Sequence, residues 1–138
     1  MNIEYISGFF DADGSITMGR MKKQNPFRSL KIDFTNTKIE ILKEIQEFLL
    51  KEYDLHLAIV TKPARKETHQ VSYCLCTSSN INCYKLCQIL HSHHPMKMHR
   101  INTVLKYHHT VTRRNGKYNE REFQRRLAYE RLFFWNVF

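Results

Sequence analysis

"ISGFFDADGSI" (residues 6–16) ends a short apolar run with two carboxylates, Asp11 and Asp13, separated by Ala12 and followed at once by Gly14. Ile6 to Phe10 reads as a helix, and Gly14 is the residue with which a helix stops in a left-handed turn. A helix C-terminus carries partial negative charge, so it favours Lys or Arg and disfavours Asp. The chain holds 22 Lys and Arg against 13 Asp and Glu, yet its most conspicuous acid pair stands where the backbone repels it. A divalent cation at that position would offset the repulsion. Mg²⁺ is the hard ion that takes oxygen ligands and is held by one or two carboxylates together with substrate phosphates.

Composition sets the frame. With 138 residues, 42% of them hydrophobic, the chain is expected to form one domain over residues 1–138 with a buried core. A formal charge of +9, with eight histidines besides, points to a polyanionic partner, most often nucleic acid. Nothing reads as a signal peptide or a transmembrane span, which argues for an intracellular protein without a membrane role. Cys74, Cys76, Cys83 and Cys87 match none of the paired C-x-x-C zinc frameworks and are expected as reduced, non-ligating thiols. His91, His93 and His94 crowd a helix end before Pro95, as solvated or phosphate-facing side chains rather than metal ligands.

After Gly14, "SITMGRMKK" (15–23) reads as a strand, and Asn25-Pro26 as a turn. "SLKIDFTN" (29–36) alternates strictly, with Leu30, Ile32 and Phe34 on one face and Lys31, Asp33 and Thr35 on the other. Thr37 to Glu40 has capping-box form and opens a helix to about Tyr53. "LHLAIVTK" (55–62) and "HQVSYCLCT" (69–77) are a third and a fourth strand, the latter with Val71, Tyr73 and Leu75 on one face. Helical spacing returns over Asn80–Leu90 and from about Met98 to Val111. Asn119 with Glu122 caps a last helix carrying Phe123, Leu127 and Phe134.

The order is α-β-β-α-β-β-α with further helix at the end: an α+β fold with a twisted antiparallel four-stranded sheet. One sheet face is apolar and packs on helices; the other collects Thr17, Met21, Lys23, Arg28, Ser29, Lys31, Asp33 and Thr35 from the first hairpin. Lys62, Arg65, Gln70 and Ser72 join it from the second. Such a surface either lies along a DNA groove or is simply a solvated sheet face. The acid pair favours the first reading. Gly8 costs a helix interior about 1 kcal/mol relative to Ala. Together with Ser7 and Ala12 it would let two copies of the helix approach and bring two Asp13 side chains together.

"ISGFFDADG" (6–14) resembles the signature motif of the LAGLIDADG homing endonucleases, and the element order is similar to that family's core. The resemblance runs from about Tyr5 to Val111, and one motif copy in 138 residues implies the homodimeric branch. It implies that Asp13 ligates a divalent cation, Mg²⁺ or Mn²⁺, at the scissile phosphates, with the backbone carbonyl of Ala12 as a second ligand. Asp11 is then more structural than catalytic, holding the helix end. "PMKMHRINTVLK" (95–106) resembles the segment that supplies the family's active-site lysine, which assigns that role to Lys97. Asn36 and Lys38 fall in the region whose polar and basic residues organise the catalytic waters. Phe9 and Phe10 depart from the smaller aliphatics usual in the motif.

The resemblance implies a site-specific, metal-dependent endonuclease that cuts both strands of double-stranded DNA and leaves short 3′ overhangs. Two alternatives share the scaffold: an intron-splicing maturase that binds RNA, and a non-catalytic DNA-binding regulator. Organelle, phage, virus and microbial cytoplasm all host the family.

Overall fold

In the computed structural model, residues 1–20, 27–67, 70–113 and 117–135 are described. The expected order is observed: α1 (Ile3–Asp13), β1 (Gly14–Arg20), β2 (Arg28–Asn36), α2 (Ile39–Tyr53), β3 (Ala58–Lys62), β4 (Ser72–Thr77) and α3 (Asn80–Ile89). Two helices follow, α4 (Pro95–Val111) and α5 (Glu120–Phe133). The strands form one antiparallel sheet in the order β1-β2-β4-β3. Two expected DNA contacts, Met21 and Lys23, lie outside the described residues.

Strand alternation decides what each sheet face carries. In β2, Leu30, Ile32 and Phe34 are fully buried, while Ser29, Lys31, Asp33 and Thr35 between them are not. Residues directly opposite in a ladder share a face. Ile16 and Met18 of β1, paired with Ile32 and Leu30, and Leu75 and Thr77 of β4, paired with Phe34 and Ile32, therefore join the core. That core is closed by Ile6 and Phe10 of α1, Leu42, Ile45 and Leu49 of α2, Cys83 and Leu86 of α3, Ile101 and Val104 of α4 and Phe133 of α5. Among the described residues, no helix covers the other sheet face.

Several local expectations need correction. Gly14 closes α1 at φ −101°, in extended backbone, not in a left-handed turn. A Cβ there would lie 2.3 Å from the Phe10 ring and 2.8 Å from the Phe10 backbone, so close approach demands the glycine. The N-cap of helix α2 is Lys38, not Thr37, and it makes no side-chain cap hydrogen bond; the Asn36 side chain accepts from the Lys38 amide instead. Val71 falls before β4 and is exposed, whereas Tyr73 and Leu75 keep the core face.

Helix α5 does carry the expected Asn119–Glu122 capping box. Its buried side, however, is Arg126, Tyr129, Glu130 and Phe133, with Phe123, Leu127 and Phe134 half-buried. The Arg126 guanidinium donates to the Arg28 carbonyl, and the Arg28 amide donates to Glu130, so polar groups from α5 hold the end of β2.

Candidate functional site

Helix α1 is capped at its start by Asn2, whose side chain accepts from the Tyr5 amide. Its C-terminal end resolves the puzzle of the acid pair. Lys97, on the first turn of α4, is only 9% exposed and donates to the Phe10 and Asp11 carbonyls at 2.8 and 2.9 Å. The cation that the helix end calls for is thus supplied from a distant part of the chain. Burial lowers the pKa of Lys97, against the opposing pull of Asp11, Asp13 and Asp33.

The two acids have separate fates. Asp11 accepts from the Ser92 hydroxyl and, at 2.9 Å, from the His93 amide. Ser92 in turn accepts from the amide of His94, the N-cap of α4. Asp11 therefore stands at the C-terminus of its own helix but at the positive N-terminal end of another, where a carboxylate is favoured. These hydrogen bonds hold its pKa below the usual carboxylate value even though burial works the other way. Asp13 is exposed and accepts no hydrogen bond from any described residue. It is the free acid of the pair.

The Asp13 carboxylate and the carbonyl of Ala12, both exposed residues, are hard oxygen donors, a set whose chemistry fits Mg²⁺. They are also too few to enclose an ion. Among the described residues no group of three His, Cys, Asp or Glu converges. Phosphate oxygens, water or a second chain would have to supply the rest.

The face of α1 turned away from the sheet carries Glu4, Tyr5, Gly8 and Ala12, all exposed, and a Cβ at Gly8 would meet nothing within 4 Å. Ser7 does not belong to that face: it is buried and accepts from the His91 amide at 3.1 Å. Phe9 and Phe10 pack inward on Phe34, with ring centroids 6.3 and 5.8 Å away. The motif's larger residues are absorbed by the core and leave the free face clear.

On the open side of the sheet, alternation and register bring together Thr17, Ser29, Lys31, Asp33, Thr35, Lys62 and Ser72. Arg65 and Gln70 are exposed in the β3–β4 connection. Arg28 does not join them. It shares the parity of Leu30 and Ile32, and its guanidinium lies 5.1 Å from the centre of the Phe134 ring on the helix side. Asn36 lies two residues past Phe34, the partner of Gly14, so it is at Asp13's end of the sheet. Its Oδ1 is already engaged at α2, while Lys38 is exposed.

Sequence reasoning missed Ser92, Ser15 and two cysteines. Ser15 lies on the open face and donates to Asp33 at 2.9 Å. Cys74 and Cys76 share that face, opposite Thr35 and Asp33. The odd–even parity that placed Thr17 on the open face also places Ser15 there. Ser92 lies three residues before Pro95, and its hydroxyl accepts from the amide of His94, the N-cap of α4.

The family model of the LAGLIDADG-like domain matches residues 1–91. No curated protein matches the chain in sequence. Among solved structures, the archaeal intron-encoded homing endonuclease I-Vdi141I, complexed with DNA, superposes with a TM-score of 0.60 at 16% identity, covering 93% of this chain and 79% of its own. The homing endonuclease I-TnaI does so with a TM-score of 0.58 at 10% identity, covering 98% and 89%. I-SmaMI, bound to an uncleaved DNA target in the presence of calcium ions, gives 0.62 at 14% identity, and this chain spans 45% of it. At these identities the likeness is one of fold.

Proposed function

The chain belongs to the LAGLIDADG-like domain family, and from that premise we propose that it is a homodimeric, site-specific endonuclease of double-stranded DNA that uses a divalent metal ion. One phosphodiester is hydrolysed on each strand, leaving short 3′ overhangs. The observation that carries this reading is the exposed Asp13 carboxylate, unengaged among the described residues and set beside the Lys97 ammonium at the end of an uncovered helix face.

Asp13 and the Ala12 carbonyl would hold the ion, Mg²⁺ or Mn²⁺. When bound, it supplies a water nucleophile and stabilises the leaving oxygen. Lys97 spends two of its three N–H groups on α1 carbonyls, and the third is left for a phosphate oxygen or an ordered water. Lys38 and the Asn36 amide nitrogen add donors to the water network at the same end of the sheet. Two copies meeting along Tyr5, Gly8 and Ala12 would bring two Asp13 carboxylates together and supply the oxygens that one chain lacks.

The uncovered sheet face receives the duplex. Lys31, Lys62 and Arg65 bind phosphates and make affinity fall steeply with salt. Thr17, Ser29, Asp33, Thr35, Gln70 and Ser72 read base edges.

The test is cleavage of a randomised duplex library with Mg²⁺, sequencing the cut ends, beside Asp13→Asn. Discrete cuts with a near-palindromic consensus are expected, reduced at least about 10²-fold in the variant. Enrichment of a duplex that is never cut would overturn the nuclease reading in favour of a DNA-binding regulator. Enrichment of RNA alone would favour a splicing maturase.

A further inference from the structure

The open sheet face is chemically divided. Strands β1 and β2 present Ser15, Thr17, Ser29, Lys31, Asp33 and Thr35, every one able to hydrogen-bond. Strands β3 and β4 present Ala58, Val60, Cys74 and Cys76 over most of their length. The register sets Ala58 against Cys76 and Val60 against Cys74, so the four make one contiguous patch. Val60 is 49% exposed, Ala58 is exposed, Cys76 is half-buried and Cys74 forms the floor.

Charges flank this patch: Lys31, Lys62 and Asp33 all act electrostatically on the Cys74 thiol. A face serving only to grip phosphates gains nothing from a contiguous patch of apolar side chains on its β3–β4 half. Single exposed apolar residues are ordinary, but these are in register and flanked by charge.

What fits such a patch inside a major groove is the C5-methyl group of thymine, the apolar feature a base pair displays there. The dimensions agree. Two strand residues span about 7 Å and neighbouring strands lie about 5 Å apart, which covers about two base steps of about 3.4 Å.

Resting on the DNA-cleaving reading above, we propose that Ala58, Val60 and Cys76 form a methyl-reading subsite. It selects two adjacent base pairs that carry a C5-methyl group, thymine or 5-methylcytosine, in each half-site. The β1–β2 half reads its own base pairs through hydrogen bonds.

The experiment takes the duplex enriched from a randomised library and replaces each thymine in turn by uracil, which removes the methyl alone. Affinity is measured at fixed salt with EDTA present. At one or two adjacent positions per half-site, uracil is expected to weaken binding about fourfold, the factor for one buried methyl-sized group. Elsewhere it should change binding less than twofold. Val60→Ser removes both methyl groups on an exposed edge strand and is expected to fold; it should erase the uracil effect at one of these positions. Cys76→Ser should erase it at the neighbouring one.

A selected site indifferent to uracil, or penalties unchanged in both variants, overturns the subsite and leaves the DNA reading standing. Failure to enrich any duplex overturns both.

Discussion

Each end of α4 buries a titratable side chain; desolvation lowers the pKa of both, but their charged neighbours act in opposite directions. At the N-terminal end, Lys97 lies against the carbonyls of α1, and Asp11, Asp13 and Asp33 favour its charged form. At the C-terminal end, His108 is 2% exposed, with Arg126 and His109 rather than acids as its charged neighbours. Desolvation first, and those two residues after it, push its pKa down to about 4. The neutral ring suits its surroundings: Nε2 lies 3.0 Å from Asn80 Oδ1 and Nδ1 lies 2.8 Å from the Tyr129 hydroxyl. One tautomer, donating to Asn80 and accepting from Tyr129, satisfies both. A buried cation is favoured where acids and helix-end carbonyls surround it, and that is the end where the Asp13 carboxylate is exposed. The other end is closed upon itself and holds α3, α4 and α5 together.

The largest expected effect is that of Lys97→Met, which keeps the stem but removes one donor from each of two carbonyls and deprives Asp11 of its nearby cation. It should cost roughly 2–4 kcal/mol in urea unfolding and abolish cleavage. Wild-type stability in this variant would break the comparison, because the ammonium would then do no structural work at the end of α1.

The His108 end should declare itself through pH. Its folded pKa of about 4 lies below the ordinary 6.5, so its contribution to stability is complete above pH 6.5. It is lost as pH falls from 6.5 towards 4, by about 3 kcal/mol over the window. His108→Gln should flatten this part of the profile. Asp11 titrates in a different window: its folded pKa lies below 3.8, so its contribution is lost only as pH falls beneath that value. Urea midpoints measured from pH 3 to pH 8, in wild type and in each variant, would separate the two ends. An unchanged profile in His108→Gln would mean that this cluster is not what titrates.

Two smaller effects concern α1. Gly14→Ala forces a methyl against the Phe10 backbone and should cost about 1–3 kcal/mol, read in thermal unfolding. Gly8→Ala adds its methyl to open space within one chain and should stabilise the isolated fold by roughly 0.5–1 kcal/mol. In sedimentation the same variant should weaken self-association. A Gly8→Ala chain that dimerises as well as wild type would move the interface off this face.

Much of this was legible in the chain. Period-two alternation of Leu30, Ile32 and Phe34 gave the sheet its faces, and the acid pair at the end of an apolar run marked the functional end of α1. Charge without parity misled at Arg28: a positive residue at a strand end suggests a phosphate contact, but its even number turns it towards α5. The left-handed turn expected at Gly14 failed for a related reason. A glycine reports either a special φ or a lack of room, and the sequence does not say which.

What the sequence determined by itself is local: periodicity, the Asn119–Glu122 cap, the motif and its exposed Asp13 depend on residues within one or two turns of each other. What only the tertiary structure decided is how unfavourable local choices are compensated. Asp11 at a helix C-terminus is tolerated because Ser92 and the His93 amide arrive from 81 and 82 residues away, and Lys97 bonds to Phe10 and Asp11 carbonyls 87 and 86 residues distant. Coulomb forces and hydrogen bonds depend on distance in space, and chain folding alone sets that distance.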